Sequence, residues 1–341
     1  MPQPAASGWV EAMTDVLILG GTGWLSGRVA RGWVESGASV TCLARGGRPA
    51  PEGAELVVAD RADPGAYDAV SDRDWDEVVE ISSIPEQVAD AVSVLGTRTR
   101  HWTYVSSLSV YAAADEVGAD ESARLSEPAA PGDDYDYSRA KAAAEASVRS
   151  ALGDRAAIVR PGLIVGPGDP TDRFGYWVGR FALAGDEPVL TPALDGLSAQ
   201  VIDVDDLAAF LVRAGQVRWH GVVNAIGDSM PLSDLLALAR KLAGHTGRVV
   251  AASDAWLVGH SVAHWMGPRS LPLWLPREMP GFSTRTNTAY RAAGGRVRDI
   301  RDTLERTLAD ERVRGLDRER RSGLTRSEER QLIAEITGPG A

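Results

Sequence analysis

A short apolar run, Asp15 to Leu19, leads straight into Gly20-Gly21-Thr22-Gly23-Trp24-Leu25-Ser26-Gly27. No other feature narrows the fold as much. Five residues dominated by Val, Leu and Ile predict a buried strand. From Gly23 to Ser36 the apolar spacing becomes helical, with Leu25, Val29, Trp33 and Val34 on one side. A strand that turns through glycines into an amphipathic helix must fold that helix back onto its own sheet. Glycines in such a turn also let backbone N–H groups at the helix start approach a pyrophosphate.

The alternation continues. Strands are expected at Ser39 to Leu43, Ala54 to Ala59, Asp76 to Ile81, Trp102 to Val105 and Ala156 to Val159. A helix is expected from Pro85 to Leu95, with Pro85 in its first turn and Gly96 at its stop, and a longer one from Tyr137 to Ala151. This order predicts an α/β fold, a doubly wound parallel sheet with its ligand crevice at the carboxyl ends of the strands. The second half is less regular. Val201 to Ile202 and Val222 to Ala225 read as strands, and Asp205 to Ala214 and Leu232 to Ala243 as helices. The expected organisation is a loose leader over 1–13, a dinucleotide-binding domain over 14–167 and a substrate lobe over 168–315. Residues 199–226 return to the sheet, and a charged helical tail covers 316–341, where Thr325-x-x-Glu328 is a capping box.

Composition removes several function classes. The net charge of −11 disfavours nucleic acid and anionic membranes as partners. No apolar run reaches about 18 residues, and the first 13 residues lack the basic and apolar regions of a signal peptide. The cytoplasm is therefore the default compartment. A single cysteine, Cys42, allows no internal disulfide and is read as a small apolar residue of the second strand. His220, His245, His260 and His264 show no metal spacing, and no metal is expected. Arg and Ala abound while Lys occurs only at 141 and 241, a bias that looks like a high-GC bacterial genome.

One of those two lysines stands in Tyr137-Ser138-Arg139-Ala140-Lys141. Positions i and i+4 share a helix face, and an ammonium beside a phenol favours the phenolate, so that the phenol can exchange a proton near neutral pH. With seven Tyr and two Lys in 341 residues, roughly 0.04 chance matches to this spacing are expected. Tyr135 and Arg139 form a decoy at the same spacing, in which Arg replaces Lys poorly.

Several segments together resemble the extended short-chain dehydrogenase/reductase family, also described as NAD-dependent epimerase/dehydratase-like. The turn Gly20-x-x-Gly23-x-x-Ser26 resembles its GxxGxxG form, with Ser in the last place. Val105-Ser106-Ser107-Leu108-Ser109-Val110-Tyr111 resembles its segment around the catalytic Ser/Thr, which falls on Ser107; Ser106 and Ser109 are alternatives. Arg160-Pro161 to Gly166-Pro167 and Ile202 to Ala208 resemble two further family segments, in the family's order. The resemblance covers about residues 15 to 226. It implies a Rossmann-like sheet with a smaller C-terminal substrate lobe, and a catalytic set of Ser107, Tyr137 and Lys141. The implied cofactor site comprises Gly20, Thr22, Gly23, Trp24, Leu25, Arg45, Asp60, Arg61, Ser82, Lys141 and Pro161. Ser82-Ser83 departs from the small apolar residues usual there.

Where NAD enzymes place an acidic residue after the second strand, this chain has Ala44-Arg45-Gly46-Gly47-Arg48. Arg45 can pair with a 2′-phosphate, which favours NADP(H) over NAD(H), or it can be a solvated loop residue. Asp60 suits the adenine end or merely ends the third strand. The expected activity is NADP(H)-dependent hydride transfer at a carbonyl or secondary alcohol of a small molecule. An epimerase or dehydratase working by transient oxidation is the alternative, and a non-catalytic nucleotide-binding regulator comes third. The expected partner is a small-molecule substrate, with homodimerisation open. Phe174, Tyr176, Trp177 and Arg180 either contact that substrate or pack the lobe, and Arg173 and Arg180 are the cations available to a sugar-nucleotide diphosphate.

Overall fold

A computed structural model describes residues 13–338, and the expected leader falls almost wholly outside them. Seven parallel strands form the central sheet: β1 (Asp15–Leu19), β2 (Ser39–Ala44), β3 (Ala54–Val58), β4 (Trp75–Glu80), β5 (Thr99–Val105), β6 (Ala156–Pro161) and β7 (Gly221–Ala225). Their spatial order is β7-β6-β5-β4-β1-β2-β3. The chain reverses direction across the sheet at β1, which pairs with β2 on one side and β4 on the other. A crevice opens at the carboxyl ends of the strands at such a switch point.

Helices cover both faces, which is why β1, β2 and β4 read as near-continuous buried runs. On one face α1 (Trp24–Glu35) lies beside the later helix Val204–Gln216. On the other α2 (Pro85–Leu95) packs on α3 (Tyr137–Leu152). The lobe holds α4 (Arg173–Ala184); α5 is that helix at Val204–Gln216, which returns to the sheet, and α6 (Leu232–Ala243), α7 (Ile300–Arg314) and α8 (Arg326–Thr337) complete the lobe.

The fifth strand starts three residues earlier than its apolar pattern suggests. Thr99 and His101 interrupt that pattern, but in register they face Trp75 and Glu77 of β4. His101 and Glu77 are both buried, and the ring Nδ1 bonds the Glu77 carboxylate while Nε2 donates to the Trp219 carbonyl at 2.7 Å. Burial alone would lower the histidine, but its bond to Glu77, that group's charge and the Trp219 carbonyl outweigh it and hold His101 above its ordinary value. Burial likewise raises Glu77, and His101 offsets only part of this. Both directions stabilise the protonated pair. The contribution is full below the unfolded histidine value near 6.5 and is lost as pH rises through the folded one. Thermal denaturation between pH 6 and 9 should therefore show the midpoint falling with pH, and a His101→Gln variant should lack that decline. Parallel curves for the two proteins would refute the assignment.

The charged helical tail expected over 316–341 packs into the lobe along its described residues. Leu324, Leu332 and Ile333 belong to the lobe core with Phe174, Trp177 and Phe181. Glu329 is fully buried, accepts the Leu190 N–H at 3.0 Å and lies 3.5 Å from Arg180. Charge on the outer face of α8 hid an inner apolar face. The helix starts as expected: Thr325 Oγ1 accepts the Glu328 N–H at 3.2 Å, and Glu328 accepts the Thr325 N–H at 2.8 Å. Tyr290, by contrast, leaves the lobe and packs on Phe210 in the core of the sheet domain.

Candidate active site

The turn after β1 is shaped by three glycines and one serine. Gly20 has φ +82°, a backbone state that favours glycine. At Gly21 a side chain would sit 2.5 Å from Cys42 Sγ, so the turn lies directly on β2. Burial pushes the Cys42 thiol up to about 11, which leaves it an inert packing group. Ser26, the family departure, is more than a small spacer. Its hydroxyl accepts the Gly23 N–H at 2.9 Å and donates to the Gly20 carbonyl at 2.6 Å, closing the turn. The first turn of α1 carries no acidic side chain that would oppose an anion at its N-terminus.

Gly20, Thr22, Gly23, Trp24, Leu25, Arg45, Asp60, Arg61 and Ser82 all line one cleft of about 880 Å³ at the carboxyl ends of β1 to β4. That volume falls within the usual range for small-molecule and cofactor sites. With free helix N–H groups and cations at one end, the cleft fits a dinucleotide. Arg45 and Arg48 stand exposed there and make no ion pair among the described residues. Asp60 accepts the Ala62 N–H at 3.0 Å and thereby also ends its strand. Trp24 Nε1 donates to the Pro167 carbonyl at 2.9 Å and ties the turn to the lobe entrance.

Two expected cofactor residues differ from the rest. The Arg61 guanidinium is committed to Glu80, to Tyr67 Oη at 2.9 Å and to the Gln87 carbonyl at 2.7 Å. Only its outer surface is offered to the cleft. Pro161 ends β6 in a buried position opposite Ala225, outside the residues that line the cleft. Ser82 caps its own turn: its hydroxyl donates to Gln87 Oε1 at 2.9 Å and accepts the Ile84 N–H at 3.1 Å. An apolar residue would lose both bonds.

Ser107, Tyr137 and Lys141 converge beside the inner end of this cleft. The Ser107 and Tyr137 hydroxyls are near enough for one to influence the other, and Ser107 accepts the Ser109 N–H at 3.1 Å. Ser106 is buried and its hydroxyl has no hydrogen-bond partner among the described residues, which leaves Ser107 as the hydroxyl beside Tyr137. Lys141 Nζ donates to the carbonyls of Val105 at 2.7 Å, Ser82 at 2.9 Å and Ile81 at 3.3 Å. It fastens α3 to the ends of β4 and β5. Burial pulls this ammonium down to about 8, against the opposing charges of Glu80 and Glu145.

The expectation that Lys141 depresses the Tyr137 phenol is not met in this arrangement. Although Tyr137 as a whole is exposed, desolvation of its hydroxyl end raises it above the ordinary phenol range; the Ser107 hydroxyl and the charge of Arg173 act downward but do not prevail. The three carbonyls take up the ammonium's hydrogen bonds instead.

Two residues outside the expected set hold the site together. Glu145 follows Lys141 by four positions, so Tyr137, Lys141 and Glu145 share one face of α3. Arg160 binds Glu145 through both nitrogens, Nε to Oε1 at 2.8 Å and Nη2 to Oε2 at 2.7 Å, and donates to Tyr111 Oη at 2.9 Å. The repeated spacing was visible in the chain; the partner of Glu145 was not.

On the substrate side, Phe174, Tyr176, Trp177 and Arg180 are all buried in the lobe core. Trp177 Nε1 donates to the Pro272 carbonyl at 2.7 Å, and Arg180 meets Glu329 and the Leu324 carbonyl. They pack the lobe. His260 stacks on Trp256 and His264 lies over Trp274, each with ring centroids 3.7 Å apart.

The model of the NAD dependent epimerase/dehydratase family matches residues 16–225, well over half of the chain. The chain belongs to that family. A candidate epimerase from Burkholderia cenocepacia J2315 shares the fold, with a TM-score of 0.67 and 22% identity over 88% of this chain and 98% of its own. So does a UDP-glucuronic acid 4-epimerase from Bacillus cereus, solved in complex with NAD, at a TM-score of 0.63 and 14% identity over 88% and 99%. A dTDP-glucose 4,6-dehydratase from Bacillus anthracis, also in complex with NAD, gives 0.63 and 14% over 88% and 97%. No curated protein matches the chain at a significant level. Among the described residues, no helix is long and apolar enough to cross a membrane.

Proposed function

We propose that this family member catalyses NADP(H)-dependent oxidoreduction at a carbonyl or secondary carbinol of a small molecule. The observation that carries the reading is that Lys141, one helical turn after Tyr137, donates to the carbonyls of Ile81 and Ser82 in the lining of the glycine-turn cleft and so sets the Tyr137 and Ser107 hydroxyls beside it. Tyr137 gives or takes the proton at the substrate oxygen, and Ser107 hydrogen-bonds that same oxygen and fixes its position. Lys141 holds the floor between them and the cleft, and its charge lies near where negative charge develops. A bound nicotinamide would supply or accept the hydride.

Arg45 and Arg48, free of carboxylate partners, support NADP(H) over NAD(H). A charge-assisted bond to a 2′-phosphate contributes about 1.5–3 kcal/mol, so even one is about tenfold in affinity. Arg45→Ala should weaken NADPH several-fold or more and leave NADH nearly unchanged. Fluorescence titration of both proteins with both nucleotides checks this. Equal affinities in the wild type would remove the NADP(H) preference, and binding of neither nucleotide would remove the oxidoreductase reading itself.

The family and the neighbouring epimerases and dehydratases favour a second reading, in which the substrate is oxidised transiently and reduced again. The same Tyr137, Ser107 and Lys141 serve both. Nucleotide that survives gel filtration, with no net change at 340 nm during turnover, would select it.

A further inference from the structure

The chain has two lysines, and the site described above uses one. The other, Lys241, lies exposed in the last turn of α6 and makes no hydrogen bond or ion pair among the described residues. It stands at the rim of a cavity of about 370 Å³ in the lobe, which shares no lining residue with the glycine-turn cleft. That volume lies within the range of small-molecule sites. Ser233, Ala237, Arg240 and Lys241 recur at i, i+4, i+7 and i+8, so α6 turns one face to the cavity. Phe181, Leu194, Leu236 and Val249 supply apolar walls.

The polar groups at the cavity limit what can enter. Arg240 is fixed in place: Nε donates to His245 Nδ1 at 3.2 Å and Nη2 to the Gly247 carbonyl at 2.7 Å, while Nη1 has no partner among the described residues. His245 is buried, donates from Nε2 to the Glu187 carbonyl at 2.9 Å and packs on the Phe181 ring, with centroids 5.2 Å apart. Thr191 lines the cavity from the strand Val189–Pro192. It is 1% exposed, and its hydroxyl has no hydrogen-bond partner among the described residues. Buried hydroxyls are normally partnered. No carboxylate lines the cavity, in a chain with 47 acidic residues. The Glu187 carboxylate is taken up by Arg326 and Arg330. Cations in the last turn of α6 also oppose the negative end of that helix. That effect accounts for two charges, but not for the apolar walls beside them or for the unpartnered Thr191.

We infer that this cavity is a second ligand site, separate from the cofactor cleft, for a medium-chain alkyl carboxylate. The alkyl chain lies along the apolar walls, the carboxylate meets Arg240 and Lys241, and the Thr191 hydroxyl donates to it. The test titrates octanoate, octylammonium and acetate calorimetrically into the full chain. Octylammonium keeps the chain and reverses the head; acetate keeps the head and lacks the chain. Wild type should bind octanoate about tenfold or more tightly than either. Lys241→Glu turns an attraction into a repulsion at an exposed position and should weaken octanoate about tenfold. Thr191→Val keeps the shape, removes the donor and should also weaken octanoate. Ala237→Trp sets an indole across the exposed wall and should abolish binding, with a melting curve to show that the variant is folded. NADPH affinity should be unchanged in all three. No octanoate binding to the wild type, equal binding of octylammonium, or full octanoate affinity in Lys241→Glu or Thr191→Val would each overturn the inference. Displacement of octanoate by NADPH would put it in the cofactor cleft and overturn it too.

Discussion

Tyr137→Phe should lower turnover by roughly 10²–10⁴-fold, the usual contribution of a positioned acid–base group. Nucleotide affinity should be unchanged, since Tyr137 is not among the residues that line the glycine-turn cleft. The substitution is clean. Tyr137 is 43% exposed and makes no bond that holds α3 in place, so removing one hydroxyl should change stability by no more than about 0.5 kcal/mol. Steady-state kinetics on a turned-over substrate, together with a melting curve, decide it. Near-wild-type turnover would show that the proton is handled elsewhere. Lys141 is a poorer first target. Its ammonium joins α3 to the ends of β4 and β5 through three carbonyls, so its loss would mix chemistry with collapse of the site.

Arg160→Leu should cost about 3 kcal/mol of stability, because the buried Glu145 then keeps only the long contact to the half-exposed Arg149, at 3.4 Å. Arg160 and Glu145 are each about 1% exposed, and their two parallel bonds leave Glu145 no access to water. A protein stable by roughly 5–15 kcal/mol would lose a large fraction of its margin. Equilibrium urea unfolding measures this. Burial alone would raise Glu145, but the bonds and charge of Arg160 outweigh it and hold the carboxyl below its ordinary value. That contribution is present above the unfolded carboxylate value and is lost as pH falls through the folded one, so the variant should show less acid dependence than the wild type. A double replacement, Glu145→Leu with Arg160→Leu, separates two roles. Stability should return in part, because no charge is left stranded. Turnover should stay low, because Glu145 sets the rotation of the helix face that carries Tyr137 and Lys141. Wild-type turnover in the double variant would reduce the pair to a packing element.

Family membership leaves the substrate open, because the same hydroxyl pair and the same sheet serve reduction, epimerisation and dehydration alike. Arg45 and Arg48 line the cleft and make no ion pair among the described residues.

Local patterns settled much of this protein in advance. A five-residue apolar run before a glycine turn, and a Tyr and a Lys four apart on a helix, are short-range facts, and their geometry follows from the backbone period. The strand–helix alternation, the crevice at the switch point and the cap at Thr325 were legible for the same reason. The chain alone could not tell Arg173 from Arg180, seven residues apart on one helix. The first lies over Trp265 and makes no ion pair among the described residues; the second is buried against Glu329 in the lobe. Nor could it show that Glu145 meets Arg160, that Arg61 is taken by Glu80, or that the charged end of the chain has an apolar face inside the lobe. In each case the decisive partner lies farther along the chain than any helical or strand period reaches. Whether a charge is available or already paired is then decided by packing, because only packing sets which groups are removed from water together.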